Sequence, residues 1–481
     1  MGTVKLILAS FAVAGLLGFS GDVPVSRAGA GLAELPVRQP LAMDAAVQQF
    51  YHERNGRALW TGSSAVIILH WLRSAAEEGL DPASFDLAHL LKLSRDPLAA
   101  PAFDRALSRS FVTYLHALRS PTPGATTTYV DARLAPETRP LALLEAAAAA
   151  PSQPAHLVAI RRMHPLYEGL RNALLTYRQR GGAISGPNGN RTEQRLLANM
   201  DRLRALPADP GDRYILVDTA SAHLWMIEKG RPPARMRVIV GSDRHPTPLL
   251  AGLIRYVVRN PYWNLPPDLV RARAAAVVEN GPDRLAEERL ELLSDWGPDA
   301  HPLTPQQVNW RAVARGEAKL RMRQRPGRDN MMGTVKFMLP NRLGIYLHDT
   351  RGKTAFTRSQ RRLSSGCVRV EDAARLEAWL LGGRGPAVGS DSERRIDLPA
   401  PVPVYMLYLT AIPGQRGVSV RADAYGRDRV AAQNISATRI RSDQDGLTIL
   451  GPMLASTSAA LNARILSVGL GPLPITISAD A

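Results

Sequence analysis

Ile345-Tyr-Leu-His-Asp-Thr350, followed after an arginine-rich turn by Ser364-Ser-Gly-Cys-Val-Arg369, is the stretch from which the rest of this 481-residue chain can be read. Side chains alternate along an extended strand, so Tyr346 and His348 share one face while Ile345 and Leu347 share the other. One apolar and one polar face on the same short run predict a strand whose back is buried in a sheet. The polar face carries a histidine, and nineteen positions downstream stands Cys367, the only cysteine in the chain. Small residues precede its sulfur, and Gly366 permits a tight backbone turn there.

An ordinary thiol, with a pKa near ~8.5, is mostly protonated at neutral pH, so a working cysteine nucleophile needs a base or a cation beside it. His348 can be that base. It would need an orienting group in turn, which the side chain or the backbone carbonyl of Asp349 could supply. The peptide N–H groups of Gly366 and Cys367 could face a developing oxyanion. Composition by itself favours an inert buried cysteine; the strand phase, the Ser-Ser-Gly turn and the surrounding charge favour a reactive one.

That charge is concentrated. Between Arg321 and Arg362 there are eleven Lys or Arg and two Asp, about half of the chain's formal +17, which suggests a substrate carrying carboxylates. His52, His70, His89, His116, His156 and His164 are scattered without metal-ligand spacing, so neither a metal nor another cofactor is expected. No motif for reading nucleic acid is recognisable, and nucleic acid is not an expected partner.

Working outward, Lys5 precedes an uncharged, mostly apolar run from Leu6 to Phe19 and an Ala28-Gly29-Ala30 triplet. This reads as a secretory signal over residues 1–30, its apolar core shorter than the roughly 20 residues that span a bilayer. Membrane contact is expected only through that segment, if it is uncleaved. A single thiol in an exported chain cannot form an internal bridge, so it is either inert or free to react.

From Met43 the apolar spacing is helical, with Val47, Phe50 and Tyr51, then Ile68, Leu69 and Leu72, then Phe103, Leu107, Phe111 and Leu115, and finally Leu166, Leu170, Leu174 and Tyr177. Residues 43–180 therefore form a mainly helical domain. Gly181-Gly182 and Ser185-Gly-Pro-Asn-Gly-Asn190 open a linker and connecting helix over residues 181–211. Strands are predicted at Tyr214–Asp218, Met236–Val240, Ile254–Val258, Thr334–Leu339, Gly344–His348 and Val404–Leu409, and a helix at Asp372–Leu381. The charged insertion 266–330 is helix-prone at Arg271–Asn280, Glu287–Asp295 and Val308–Arg315, and its position before His348 and Cys367 suits a cap over them. Residues 431–481 read as a weakly ordered tail.

The block of His348, fifteen intervening residues and Ser364-Ser-Gly-Cys-Val-Arg369 resembles the signature of the bacterial L,D-transpeptidase catalytic domain. Asn260-Pro-Tyr-Trp-Asn-Leu-Pro-Pro267, Gly333-Thr-Val-Lys-Phe337 with Pro340-Asn341, and Pro401-Val-Pro-Val-Tyr405 resemble further blocks of that family's large periplasmic branch. The resemblance covers roughly residues 212–430, and 43–180 is similar to the branch's scaffold domain. It implies a multidomain α+β protein: a helical scaffold followed by a β-sandwich-like catalytic domain with a capping insertion.

The resemblance also implies a reaction. Cys367 attacks the bond between the third residue of a peptidoglycan stem tetrapeptide and its terminal D-alanine, and the amine of a second stem resolves the acyl-enzyme into a 3→3 cross-link. It makes His348 the general base, Asp349 its orienting acceptor, Gly366 an oxyanion donor, and Tyr346, Ser364, Ser365 and Arg369 the lining of the substrate site. Ser365 stands where many members have histidine. Residues 181–211 are too short for the small peptidoglycan-binding module of many relatives, so the polymer would be held by cap, scaffold or basic surface. Donor and acceptor stem peptides are the expected partners and the periplasm the expected location. Two alternatives remain at this level: an L,D-carboxypeptidase using the same site with water as acceptor, and a non-catalytic envelope protein binding an anionic polymer.

Overall fold

The computed structural model describes residues 39–180, 186–297, 299–383, 392–414 and 417–428. The signal expected over 1–30 and the tail expected over 431–481 lie outside them. From Met43 onward the chain forms one compact unit.

Its first part is helical: α1 (Gln39–Glu53), α2 (Gly62–Arg73), α3 (Leu87–Leu93), α4 (Ala100–Arg119), α5 (Pro140–Ala149), α6 (Gln153–Ile160), α7 (Pro165–Gln179) and α8 (Gly186–Leu203). The starts follow from local chemistry. Thr61 accepts from the Ser64 N–H ahead of α2, and Ser152 does the same for Ala155 ahead of α6, where Pro154 sits in the first turn at no hydrogen-bond cost. The predicted stripe of α4 is core: Leu107, Phe111 and Leu115 are fully buried, with Phe103 packed beside them. Between α4 and α5 runs a two-residue strand, β1 (Thr128–Tyr129).

The connecting helix expected within residues 181–211 is α8, and it does more than connect. Leu196, Leu197, Met200 and Leu203 join the scaffold core, and that core continues onto Leu216, Trp225, Ile227, Tyr405 and Leu407 of the following sheet. The helical layer thus lies against one outer face of the β domain.

That domain is built from β2 (Arg213–Asp218), β3 (His223–Glu228), β4 (Ala234–Gly241), β5 (Leu250–Arg259), β10 (Val335–Met338), β11 (Leu347–His348), β12 (Arg362–Ser364), β13 (Val368–Val370) and β14 (Arg394–Leu407), with α12 (Ala373–Leu380) before the last strand. Between β5 and β10 come the insertion's β6 (Trp263–Asn264), α9 (Pro267–Asn280), α10 (Asp283–Glu287), β7 (Leu290–Leu293), β8 (Pro302–Leu303), α11 (Trp310–Arg315) and β9 (Arg321–Gln324). A hairpin of β15 (Ala411–Gly414) and β16 (Gly417–Val420) follows β14.

The sheet order runs β1-β5-β10-β11-β13-β4-β3-β2-β14, with β12 beside β4, and β14 returns to pair with β5. The fold expectation is corrected here. In place of a sandwich of two sheets there is one sheet closed on itself like a barrel. Closure removes the free edges that an open sheet leaves unpaired. Its interior is filled by Ile215, Val217, Leu224, Met226, Val238, Val240, Ile254, Val257, Phe337, Leu347, Val368, Val404 and Met406.

The insertion is a small subdomain with its own core of Leu265, Val270, Ala274, Val277, Leu285, Leu292, Val313, Leu320 and Met322. Its four strands order as β6-β9-β7-β8. Glu287–Asp295, expected to be helical, instead contains strand β7. Leu292 and Leu293 are both buried there, so no side-chain alternation marks the strand, and tertiary pairing with β9 decides the outcome. The base of the subdomain is knitted by Asn330, whose amide donates to the carbonyls of Pro261, Gln324 and Arg325 at 3.1, 3.2 and 2.9 Å, while its Oδ1 accepts from the Met332 N–H at 2.7 Å.

Candidate functional site

Three strands put the chemistry in one place. In the ladder, Lys336 lies across from His348 and His348 across from Arg369; Phe337, Leu347 and Val368 form the next row. That second row points into the barrel. Alternation therefore sends Lys336, His348 and Arg369 to the outer face, and one further step along the strands brings Met338, Tyr346 and Cys367 to the same face. His348 and Cys367 are diagonal neighbours on it, with a backbone separation on the order of 7–8 Å. Sequence reading singled out Tyr346, His348, Cys367 and Arg369 but not Lys336, which stands in the quoted Gly333–Phe337 block and whose place beside His348 depends on a cross-strand register that a single sequence does not reveal.

Cys367 follows a sharp turn between β12 and β13, with Gly366 at φ +114°. The half-buried sulfur lies 3.6 Å from the Gly344 carbonyl and meets both the backbone N–H and the hydroxyl of Tyr346. Burial raises the thiol above its ordinary range; the two Tyr346 groups and the Arg369 charge pull it down less strongly. The Tyr346 phenol is pushed well above its ordinary value by burial, then by the adjoining sulfur. No hydrogen bond joins the sulfur to His348 among the described residues.

His348 is 3% exposed. Burial first and the Arg369 charge second hold its imidazole down at about 3; the backbone and carboxylate of Asp349 pull upward less than these, and the Lys336 charge adds the smallest downward push. Its Nδ1 has no well-formed hydrogen bond, so the Asp349 backbone favours the protonated ring without closing a good contact. Both shifts favour the uncharged forms of thiol and imidazole.

The Asp349 carboxylate is committed elsewhere. It accepts from the Thr334 N–H and hydroxyl, each at 2.9 Å, and from Lys353 Nζ at 2.6 Å. Burial raises this acid, but the bonds from Lys353 and Thr334 outweigh it and the net shift is downward. Gly333, at φ +63°, makes room: a Cβ there would lie 2.4 Å from Asp349 Oδ2.

The turn itself is tied by Ser364, whose hydroxyl donates to the Cys367 carbonyl at 2.6 Å and accepts from the Gly366 N–H at 3.2 Å. The Gly366 N–H, expected to face an oxyanion, is therefore occupied; the Ser364 hydroxyl lies within reach because the tight turn folds it back over the Ser-Gly-Cys backbone. Ser365 is exposed and its side chain stands out from the turn. Arg369 is largely buried, makes no ion pair or side-chain hydrogen bond among the described residues, and has an unpartnered Nε. Desolvation lowers it, and the sulfur of Cys367 is the group that opposes this. Lys336, whose charge burial likewise disfavours, has the Tyr262 carbonyl, at 3.5 Å, as its one hydrogen-bond partner among the described residues and sits 5.9 Å from the Tyr346 ring centre. Two desolvated cations beside a thiol suit an anionic substrate. Among the described residues no group of His, Cys, Asp and Glu is arranged to hold a metal ion.

Residues 212–404 match the family model of the L,D-transpeptidase catalytic domain, and residues 45–174 that of a scaffold domain. A Haemophilus influenzae protein described as "Putative L,D-transpeptidase" is 31% identical over 243 residues, an alignment spanning 49% of this chain and 48% of that protein. Solved structures similar in part include an L,D-transpeptidase from Mycobacterium smegmatis, 12% identical with a TM-score of 0.20 over 40% of this chain and 58% of that one. Another is L,D-transpeptidase 3 from Mycobacterium tuberculosis, 13% identical with a TM-score of 0.19 over 40% and 60%.

Proposed function

From its membership of the bacterial L,D-transpeptidase family, with a catalytic domain behind a scaffold domain, we propose that this chain forms 3→3 cross-links in peptidoglycan through a thioester at Cys367. The observation that carries the proposal is the outer-face grid of Cys367, Tyr346, His348, Arg369 and Lys336, set within the matched domain.

In this reading the thiol proton passes to His348 as sulfur attacks the carbonyl carbon of the third stem residue. Because the imidazole is held so low and the thiol so high, proton transfer accompanies attack rather than preceding it as an ion pair. The Cys367 N–H, with the Gly366 N–H already taken by Ser364, is the turn's remaining donor to the tetrahedral oxyanion. The imidazolium then protonates the departing D-alanine amine, leaving a thioester. The side-chain amine of a second stem attacks, passes a proton to His348, and the thiol is restored as its C–S bond breaks. Asp349 orients the imidazole through its carbonyl, since its carboxylate is engaged by Thr334 and Lys353. Arg369 and Lys336 hold stem carboxylates, and the 266–330 subdomain covers the bound stem. The substrate places this reaction in the periplasm.

The test is incubation of the full chain with disaccharide tetrapeptides, wild type against Cys367→Ala, with mass analysis of products and of a carbapenem adduct. Released D-alanine, 3→3 dimers and a Cys367 adduct, all lost in the variant, support the proposal. D-alanine with tripeptide but no dimer would replace it with a carboxypeptidase, and salt-sensitive polymer binding with no covalent chemistry would replace it with a binding protein.

A further inference from the structure

The nucleophile turn is gripped from behind by a loop far away in sequence. β4 ends at Gly241, and residues 241–247 fold back so tightly that a Cβ on Gly241 would lie 2.1 Å from the His245 carbonyl oxygen and 2.5 Å from the Thr247 nitrogen. Thr247 is fully buried. Its hydroxyl accepts from the Gly241 N–H at 2.9 Å and donates to the Gly366 carbonyl at 2.8 Å. The loop is braced in turn: Tyr425 donates to the Gly241 carbonyl at 2.5 Å, and Arg427, lying over the Tyr408 and Tyr425 rings, donates to the Thr247 carbonyl at 3.2 Å.

A trans peptide is planar, and its C=O and N–H point in opposite directions. Whatever fixes the Gly366 carbonyl therefore fixes the N–H of Cys367. Ser364 engages the Gly366 N–H and the Cys367 carbonyl, the groups on either side of this peptide unit, so the unit itself is held by Thr247. Among the described residues the Cys367 N–H has no acceptor, as a donor reserved for substrate requires.

We infer that Thr247 is a positioning residue: by anchoring the Gly366 carbonyl it aims the Cys367 N–H, and the sulfur beyond it, at the reacting carbonyl. The inference rests on the proposed role of Cys367. Valine in place of Thr247 keeps the shape but removes the hydroxyl, freeing the peptide unit to rotate; serine restores the hydroxyl. Small misplacements of reacting groups cost up to about a hundredfold in rate.

The experiment measures the rate of Cys367 acylation by a carbapenem, by stopped-flow and intact mass, in wild type, Thr247→Val, Thr247→Ser and Cys367→Ala, beside kcat and KM on tetrapeptide. Thr247→Val is expected to lower the acylation rate and kcat by roughly ten- to a hundredfold with KM little changed, and Thr247→Ser to recover most of the loss. Acylation of Thr247→Val at the wild-type rate, or no recovery with serine, overturns the inference. Absence of an adduct in wild type defeats the reading of Cys367 instead. Should Thr247→Val not fold, Tyr425→Phe, which loosens the same loop from outside the turn, must slow acylation at unchanged KM; a wild-type rate there overturns the inference as well.

Discussion

Replacing Gly333 by alanine tests how the site is held from below. Gly333 has φ +63°, where an L side chain costs about 1–2 kcal/mol. The new methyl would also stand 2.4, 2.5 and 2.6 Å from Oδ2, Cγ and Cβ of Asp349. The clash with Cβ cannot be relieved by a rotamer change, because Cβ is fixed to the backbone of the segment that follows β11. Asp349 must retreat, stretching its bonds to the Thr334 N–H and hydroxyl. Hydrogen bonds to charged groups contribute about 1.5–3 kcal/mol each, and water recovers part of that. Together these give a loss of roughly 3–5 kcal/mol. Urea unfolding of both proteins measures it as a lower midpoint at unchanged slope. In an Asp349→Gly background, where no Cβ is met, the same substitution should cost only the strain, about 1–2 kcal/mol. A loss below ~1 kcal/mol in the wild-type background, or equal losses in both, would refute the reasoning.

Other expectations concern protons and the insertion. Since burial holds the Cys367 thiol above its ordinary range, alkylation by iodoacetamide should still be accelerating past about pH 8.5; a plateau near neutrality would mean a preformed thiolate–imidazolium pair. His348 is held at about 3 when folded, against ~6.5 unfolded, so the native state binds fewer protons between these values. Its contribution is intact above ~6.5 and erodes as pH falls toward 3, by about 1.4 kcal/mol per unit. His348→Gln should therefore lose less stability on acidification than wild type, and parallel curves would contradict this. Asn330→Ala strips four hydrogen bonds from the base of the insertion, leaves buried carbonyls unpaired, and should cost about 2–4 kcal/mol. Faster amide exchange in residues 266–330 than in β2 or β14 is its signature, and uniform exchange would count against it.

The legible part of this molecule was local. Tyr346 and His348 read as one face and Ile345 and Leu347 as the other because a strand's period is two, and the structure buries the aliphatic pair. The helical stripe of α4 was equally plain. Sheet closure was not, because pairing of β5 with β14 joins residues about 150 positions apart and carries no local signal. The same reason hid Lys336 beside His348 and Thr247 behind Gly366. Leu290–Leu293 was misread because a short charged segment has no strong intrinsic preference and its partner β9 lies thirty residues on. Gly366 was expected to offer its N–H because glycine turns often do; the Ser364 hydroxyl reaches it first.

The short strand β1 carries a further consequence. Thr128 and Tyr129, from the helical part of the chain, pair in parallel with Leu250 and Ala251 of β5, and the Tyr129 hydroxyl reaches the Ala205 carbonyl at 2.7 Å. The seam between the two parts is therefore stitched well before the polypeptide crosses it, and residues 181–211 are a poor place to cut. A chimaera that transplants this sheet onto another helical base needs the Thr128–Val130 segment grafted with it, and a fragment starting at residue 212 would leave that side of β5 bare.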